Sequence, residues 1–175
     1  RPVYDVSASY KLPHELTLRF HYGTGFRSPS LYELHGAYFS SSGRTEIGND
    51  RLGPERSTSF DAGLEKQIGD NITTGFTFFR HSLKNRIDFV SSKYANIDGT
   101  LNTYGYETFY EQFLFNAASL RLSYTRTIQP GLVDISPNSF EATFRVHKKK
   151  WQLATSIGYK DAHEIRLFNN TTFVT

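Results

Sequence analysis

The chain of 175 residues has no cysteine, no methionine and a single tryptophan. Without cysteine it has no disulfide framework, no thiolate metal site and no cysteine nucleophile. Long apolar runs are missing too: no stretch approaches the ~20 residues of a spanning helix, and none pairs a charged start with the short apolar segment of a secretion signal. Mean hydropathy is −0.48, which argues against a helical membrane bundle. The lack of methionine even at position 1, together with the Arg1-Pro2 start, leads to the expectation of a piece of a longer chain. The net charge is only +3. Its one concentration, Lys148 to Lys150, lacks the spread of basic and aromatic residues that a nucleic-acid groove needs. A solvated turn is the expected role, with no nucleic-acid partner.

What is abundant is aromatic: 11 tyrosines and 15 phenylalanines, residue types that fit a pleated surface. Helical periodicity is nowhere sustained, whereas alternation recurs. Leu16, Leu18, Phe20, Tyr22 and Phe26 alternate with Thr17, Arg19, His21, Gly23 and Arg27. Phe60, Ala62 and Leu64 alternate with Asp61, Gly63 and Glu65, and Leu120, Leu122 and Tyr124 with Arg121 and Ser123. Phe140, Ala142, Phe144 and Val146 alternate with Glu141, Thr143 and Arg145, and the pattern returns from Trp151 to Tyr159. These are strands with one apolar face.

Links between them alternate in length. Short ones are expected at Leu12–Glu15, Gln67–Asn71, Phe115–Ala118 and His147–Lys150. Long loops are expected at Ser28–Arg56, around Ser91–Thr100 and at Pro130–Asn138. The predicted strands cover 3–11, 15–26, 57–67, 71–90, 101–114, 119–129, 138–147, 151–161 and a last one near 165–174. Residues 1–175 thus form one all-β unit, an antiparallel meander of about nine long strands joined as hairpins. Alternation alone does not say whether the apolar face meets a second layer of a soluble barrel or sandwich, or lipid. Strands of ten residues or more match the ~9–11 that cross a bilayer, and tyrosines with Trp151 near strand ends match interfacial girdles. The preferred fold is an arc of a large transmembrane β-barrel. Its wet row, Arg19, His21, Asp61, Glu65, Arg121, Glu141 and Arg145, would then face the lumen.

Specific motifs sharpen this reading. Tyr22-Gly23-Thr24-Gly25-Phe26-Arg27-Ser28-Pro29-Ser30-Leu31-Tyr32-Glu33-Leu34, followed by Gly48-Asn49-Asp50-Arg51-Leu52-Gly53-Pro54-Glu55-Arg56-Ser57, resembles the TonB-dependent outer-membrane receptors. Arg86-Ile87-Asp88-Phe89-Val90, Tyr94-Ala95-Asn96 and Tyr104-Gly105-Tyr106-Glu107 are similar to further landmarks of that family, while Asp50-Arg51 departs from its usual Pro-Asn. The resemblance runs from about Leu16 to Tyr159. It implies the C-terminal part of a 22-stranded, plugged barrel in the cell outer membrane. Neither the plug, its energy-coupling box nor a terminal aromatic lies in the chain. The implied function is TonB-dependent uptake of a scarce, bulky nutrient. A ferric siderophore or related metal chelate is preferred, with haem or cobalamin as alternatives, and the TonB complex acts through the absent plug.

No enzyme and no cofactor are expected. The six histidines are scattered, without a nucleophile or zincin motif. A barrel-embedded hydrolase would use His21 with Asp61 or Glu65. Ligand recognition is assigned to the long loop and its start, with Arg27, Tyr32, His35, Tyr38, Phe39 and Arg44 as candidates, because aromatics and a cation suit an anionic, ring-bearing chelate. Arg44 and Glu46 are expected as an exposed pair. No metal site is assigned; His35, an isolated imidazole between two motifs, is the residue considered as a haem or metal ligand.

Overall fold

The computed structural model describes residues 2–114, 117–129, 135–167 and 170–174. In chain order the elements are β1 (Asp5–Leu12), β2 (Leu16–Arg27), α1 (Leu31–His35), β3 (Ala37–Ser40), β4 (Gly43–Glu46), β5 (Glu55–Ile68), β6 (Ile72–Val90), β7 (Lys93–Leu114), β8 (Ala118–Ile128), β9 (Asn138–Lys148), β10 (Trp151–Lys160), β11 (His163–Leu167) and β12 (Asn170–Val174). Eight of them form one sheet in the order β1-β2-β5-β6-β7-β8-β9-β10. Every neighbouring pair is antiparallel.

Tight turns close one end, at Pro13–Glu15, Gly69–Asn71 and Lys149–Lys150. His14, Glu15 and Lys149 take positive φ of 63°, 59° and 51° there. Part of the Phe115–Ala118 link and most of the Pro130–Asn138 loop lie outside the described residues.

Two expectations are corrected. The segment Ser91–Thr100 is not a long loop: β7 starts at Lys93, and a two-residue turn joins it to β6. Ser91 and Ser92 both have positive φ, 51° and 66°, as a type I′ hairpin turn requires. The alternation was hidden because a bulge between Lys84 and Arg86 shifts the register, with Asn85 and Gly99 at φ 54° and 104°. A bulge breaks the period-2 rhythm on which strand recognition rests. The ninth strand is also different: instead of one strand over 165–174, β11 and β12 form a separate two-stranded hairpin.

The apolar face of the large sheet is bare. Phe20, Leu64 and Phe76 expose 42%, 41% and 48% of their surface, and Trp151 82%. Cross-strand rings line this face: Phe20 meets Phe60 at 5.3 Å, Phe60 meets Phe78 at 6.4 Å, and Phe76 stacks on Tyr106 at 5.7 Å. No second layer covers them among the described residues. An uncovered apolar surface of this extent marks contact with another phase or partner. Among the described residues the buried hydrophobic ones are Ile47 and Leu52 of the long loop and Ile87 of β6, so the core sits where that loop meets one end of the wall.

Candidate functional site

On the charged face, register brings the predicted row into contact. Arg19 reaches Glu65 at 3.1 Å, and Arg121 donates to Glu111 at 2.9 Å while lying 4.3 Å over the Phe109 ring. Gly75 makes room for that ring, since a Cβ there would collide with it. Glu141 accepts from Thr143, whose hydroxyl also lies 2.8 Å from Ser156. Arg145 stands on the same face, opposite Ser119 and Ala154. His21 is bracketed: Nδ1 lies 2.8 Å from Asp61 and Nε2 2.9 Å from Asp5. Of the two carboxylates paired with it from sequence, it meets Asp61, while Glu65 goes to Arg19. Asp5 is an addition visible only once β1 is seen to align Ser7 with His21. With a carboxylate at each ring nitrogen, neither is left to activate a hydroxyl nucleophile.

The loop end is built around Arg27, the last residue of β2. Its Nε donates to Glu55 at 2.6 Å, and Nη1 and Nη2 form a two-pronged contact with Glu33 at 2.9 and 3.0 Å. Such charge-assisted, bidentate pairing is directional as well as strong. Glu33 closes a capping box: its carboxylate accepts from the Ser30 backbone at 2.7 Å, and its own N–H donates to the Ser30 hydroxyl at 3.2 Å. Glu55 is buried, and its second oxygen accepts from the Ile87 N–H at 2.7 Å. The Arg27 guanidinium and the Ser30 N–H hold the Glu33 carboxyl down at about 2. Arg27, then the Ile87 N–H against some burial, lowers Glu55 as well, and both carboxylates raise Arg27.

Two asparagines fasten the loop to the β6–β7 extension. Asn96 accepts from Gly53 N–H at 2.7 Å and donates to the carbonyls of Gly53 and Asn85, both at 2.9 Å. Asn49 donates to the Tyr94 carbonyl at 3.0 Å, and the Tyr94 N–H donates to Ile47 at 2.9 Å. Gly48 packs so closely on His35 and Gly36 backbone that a Cβ would sit 2.6 Å from both nitrogens. The loop is therefore a folded platform. The motif residues were legible, but the jobs of Glu33, Asn49, Glu55 and Asn96 were not.

The candidate recognition residues divide over this platform. Tyr32, on α1, meets Tyr94 edge-on at 6.2 Å. His35 ends the helix, exposed, and no cluster of three or more potential metal ligands occurs among the described residues. Tyr38, Phe39 and Arg44 lie on the β3–β4 hairpin, where Phe39 pairs with Arg44 and exposes 80% of its surface. Arg44 and Glu46 form the expected exposed pair at 2.7 Å. Arg27, by contrast, is engaged on both sides of its guanidinium.

A family profile described as "TonB dependent receptor-like, beta-barrel" matches residues 3–172. The chain belongs to this family. A curated relative, the ferric enterobactin receptor of Pseudomonas aeruginosa, is 27% identical over 117 residues, which span 61% of this chain and 16% of that protein. Among solved structures, the siderophore receptor PirA from Acinetobacter baumannii superposes with a TM-score of 0.74 at 13% identity, covering 98% of this chain and 32% of that one. The P. aeruginosa PirA gives 0.66 at 20% identity, covering 93% and 35%. A mutant ferric enterobactin receptor from P. aeruginosa, in complex with enterobactin, gives 0.72 at 18%, covering 93% and 28%. This chain thus spans about a third or less of each. As part of a TonB-dependent receptor barrel, the eight-stranded sheet is an arc of wall.

Proposed function

We propose that this chain supplies wall and ligand-contacting loops to an outer-membrane receptor that imports a ferric siderophore or related metal chelate. The observation that carries this is the platform of residues 28–54: a long loop held rigidly against the wall, with an aromatic and cationic tip turned outward. The names of the relatives support the substrate class. Tyr38, Phe39 and Arg44 at the tip, with Tyr32 and His35 on α1, make the ligand contacts. Arg27 serves the site from behind, holding α1 in place through Glu33. The charged face, from Arg19 to Arg145, lines the lumen and hydrogen-bonds a plug domain contributed by another part of the protein. The TonB complex draws on that plug to release ligand inward.

The test is uptake of radio-iron by the full-length receptor, expressed in cells lacking their own siderophore receptors. Phe39→Ala combined with Arg44→Ala is expected to weaken siderophore binding about tenfold, the loss of one stacked ring and one charge contact, at unchanged surface level. Unaltered affinity removes the hairpin tip from the ligand site.

A further inference from the structure

The turn between β9 and β10, expected from the sequence only as a solvated one, carries a run of cations that the transport reading leaves unused. Lys148 ends β9, Lys149 and Lys150 form the turn, and Trp151 opens β10 directly opposite Lys148. All three lysines are exposed, and none enters an ion pair among the described residues. Their own hairpin offers no partner, because residues 142–160 contain no aspartate or glutamate. The two other tight turns described at this rim each include a carboxylate, Glu15 in one and Asp70 in the other. Like charges gathered in one turn repel, so an anion seated among them relieves a cost already present in the fold.

Charge alone suits any anion, and the neighbouring surface narrows the choice. Lys148 and Trp151 stand on the bare apolar face, with Val146 and Leu153 paired on the next rung of that face. Trp151 exposes 82% of its surface and Leu153 65%. β10 pairs on one side only among the described residues, and a further strand would flank these side chains without covering the face, since they stand out of the sheet. Tyr159 stands on the same face, eight residues from Trp151, ~27 Å along the strand. At the usual tilt that is ~20 Å across a bilayer, so both rings fit the aromatic girdles of a barrel's apolar band. Trp151 therefore stands at one interface with Lys148 at the same height, and Lys149 and Lys150 lie beyond it. A partner that meets both the lysines and the ring joins an anionic head to an apolar body. Short turns of such barrels face the periplasm, and anionic headgroups at a membrane surface attract lysines close to it.

We propose that Lys148, Lys149 and Lys150, with Trp151, form a binding site for an anionic glycerophospholipid of the periplasmic leaflet, its phosphate among the ammonium groups and its acyl chains along Trp151, Val146 and Leu153. The site rests on the outer-membrane reading above, in which the bare apolar face meets lipid. It does not depend on the transported ligand.

The full-length receptor, purified in detergent, is offered phosphatidylglycerol and phosphatidylethanolamine of matched acyl chains, and retention is read by native mass spectrometry. Preferential retention of phosphatidylglycerol is expected, weakened roughly fivefold for each cation removed in Lys148→Gln, Lys149→Gln and Lys150→Gln. Trp151→Ala is expected to weaken retention of both lipids and leave the preference in place. Lys66→Gln is expected to change nothing, since that lysine donates to the His14 carbonyl at another turn. If the triple lysine variant loses its fold, judged by heat-modifiable mobility, Lys150→Gln alone carries the test. Equal retention of the two lipids, an undiminished preference in the lysine variants, or unaltered retention after Trp151→Ala overturns the site. Equal competition by soluble glycerol phosphate or by a peptidoglycan fragment overturns its assignment to lipid. A receptor that stays soluble without detergent overturns the membrane reading itself, and the site with it.

Discussion

Glu55 connects three strands through one carboxylate: it begins β5, accepts from Arg27 of β2 and accepts from Ile87 N–H of β6. Glu55→Ala leaves a buried N–H unpaired, and about 1–3 kcal/mol of stability is expected to go with it. Thermal unfolding followed by loss of heat-modifiable mobility measures this, and Glu55→Gln should recover part because its amide oxygen still accepts from Ile87. The same cluster sets an acid limit. A carboxyl whose folded pKa is depressed stabilises the native state above its unfolded value and loses that contribution as pH falls toward the folded one. With Glu33 near 2 against an ordinary 4.5, and Glu55 also lowered, the platform should loosen between about pH 4.5 and 2. Monitoring Tyr94 environment by fluorescence through that range, Glu33→Gln is expected to remove the Glu33 part of the transition.

At the scale of elements, β2 and β5 were readable because twelve and fourteen residues run without interruption, each alternating cleanly. β6 was readable over its full length, 71–90 against Ile72–Val90, whereas β7 was readable only from 101 onward. The start of β7 lies beyond the bulge, and the turn that leads into it is Ser91-Ser92, which lacks the Asn-Gly or Asp-Gly signature of a type I′ turn. Left-handed serine is strained, so Ser92→Gly is expected to stabilise the hairpin by about 0.5–1 kcal/mol, measured as slower amide exchange at Val90 and Lys93, the pair that flanks the turn. The fold of the long loop was illegible for another reason. Asn49 and Asn96 act on backbone groups 45 and 43 residues away, and no local pattern announces a partner so distant. Asp5 escaped notice likewise, since only strand register brings it to His21.

Among the described residues, the outermost strands of the sheet, β1 and β10, pair on one side only. Exposed edge strands with a bare apolar face invite pairing with other chains. Residues 1–175 expressed alone and refolded in detergent are expected to form aggregates in size-exclusion chromatography; a monodisperse monomer contradicts this. The two rims differ in construction. At one, α1, the β3–β4 hairpin and the side chains of Glu55 and Asn96 cross-link β2, β5, β6 and β7; at the other, hairpins are joined by turns of two or three residues. Under heat or mechanical load such a wall is expected to part like a zip fastened at the collar: strands splay first from the short-turn side, while the sewn rim keeps its shape longest and leaves α1 and the β3–β4 hairpin in place after the lower wall has begun to give.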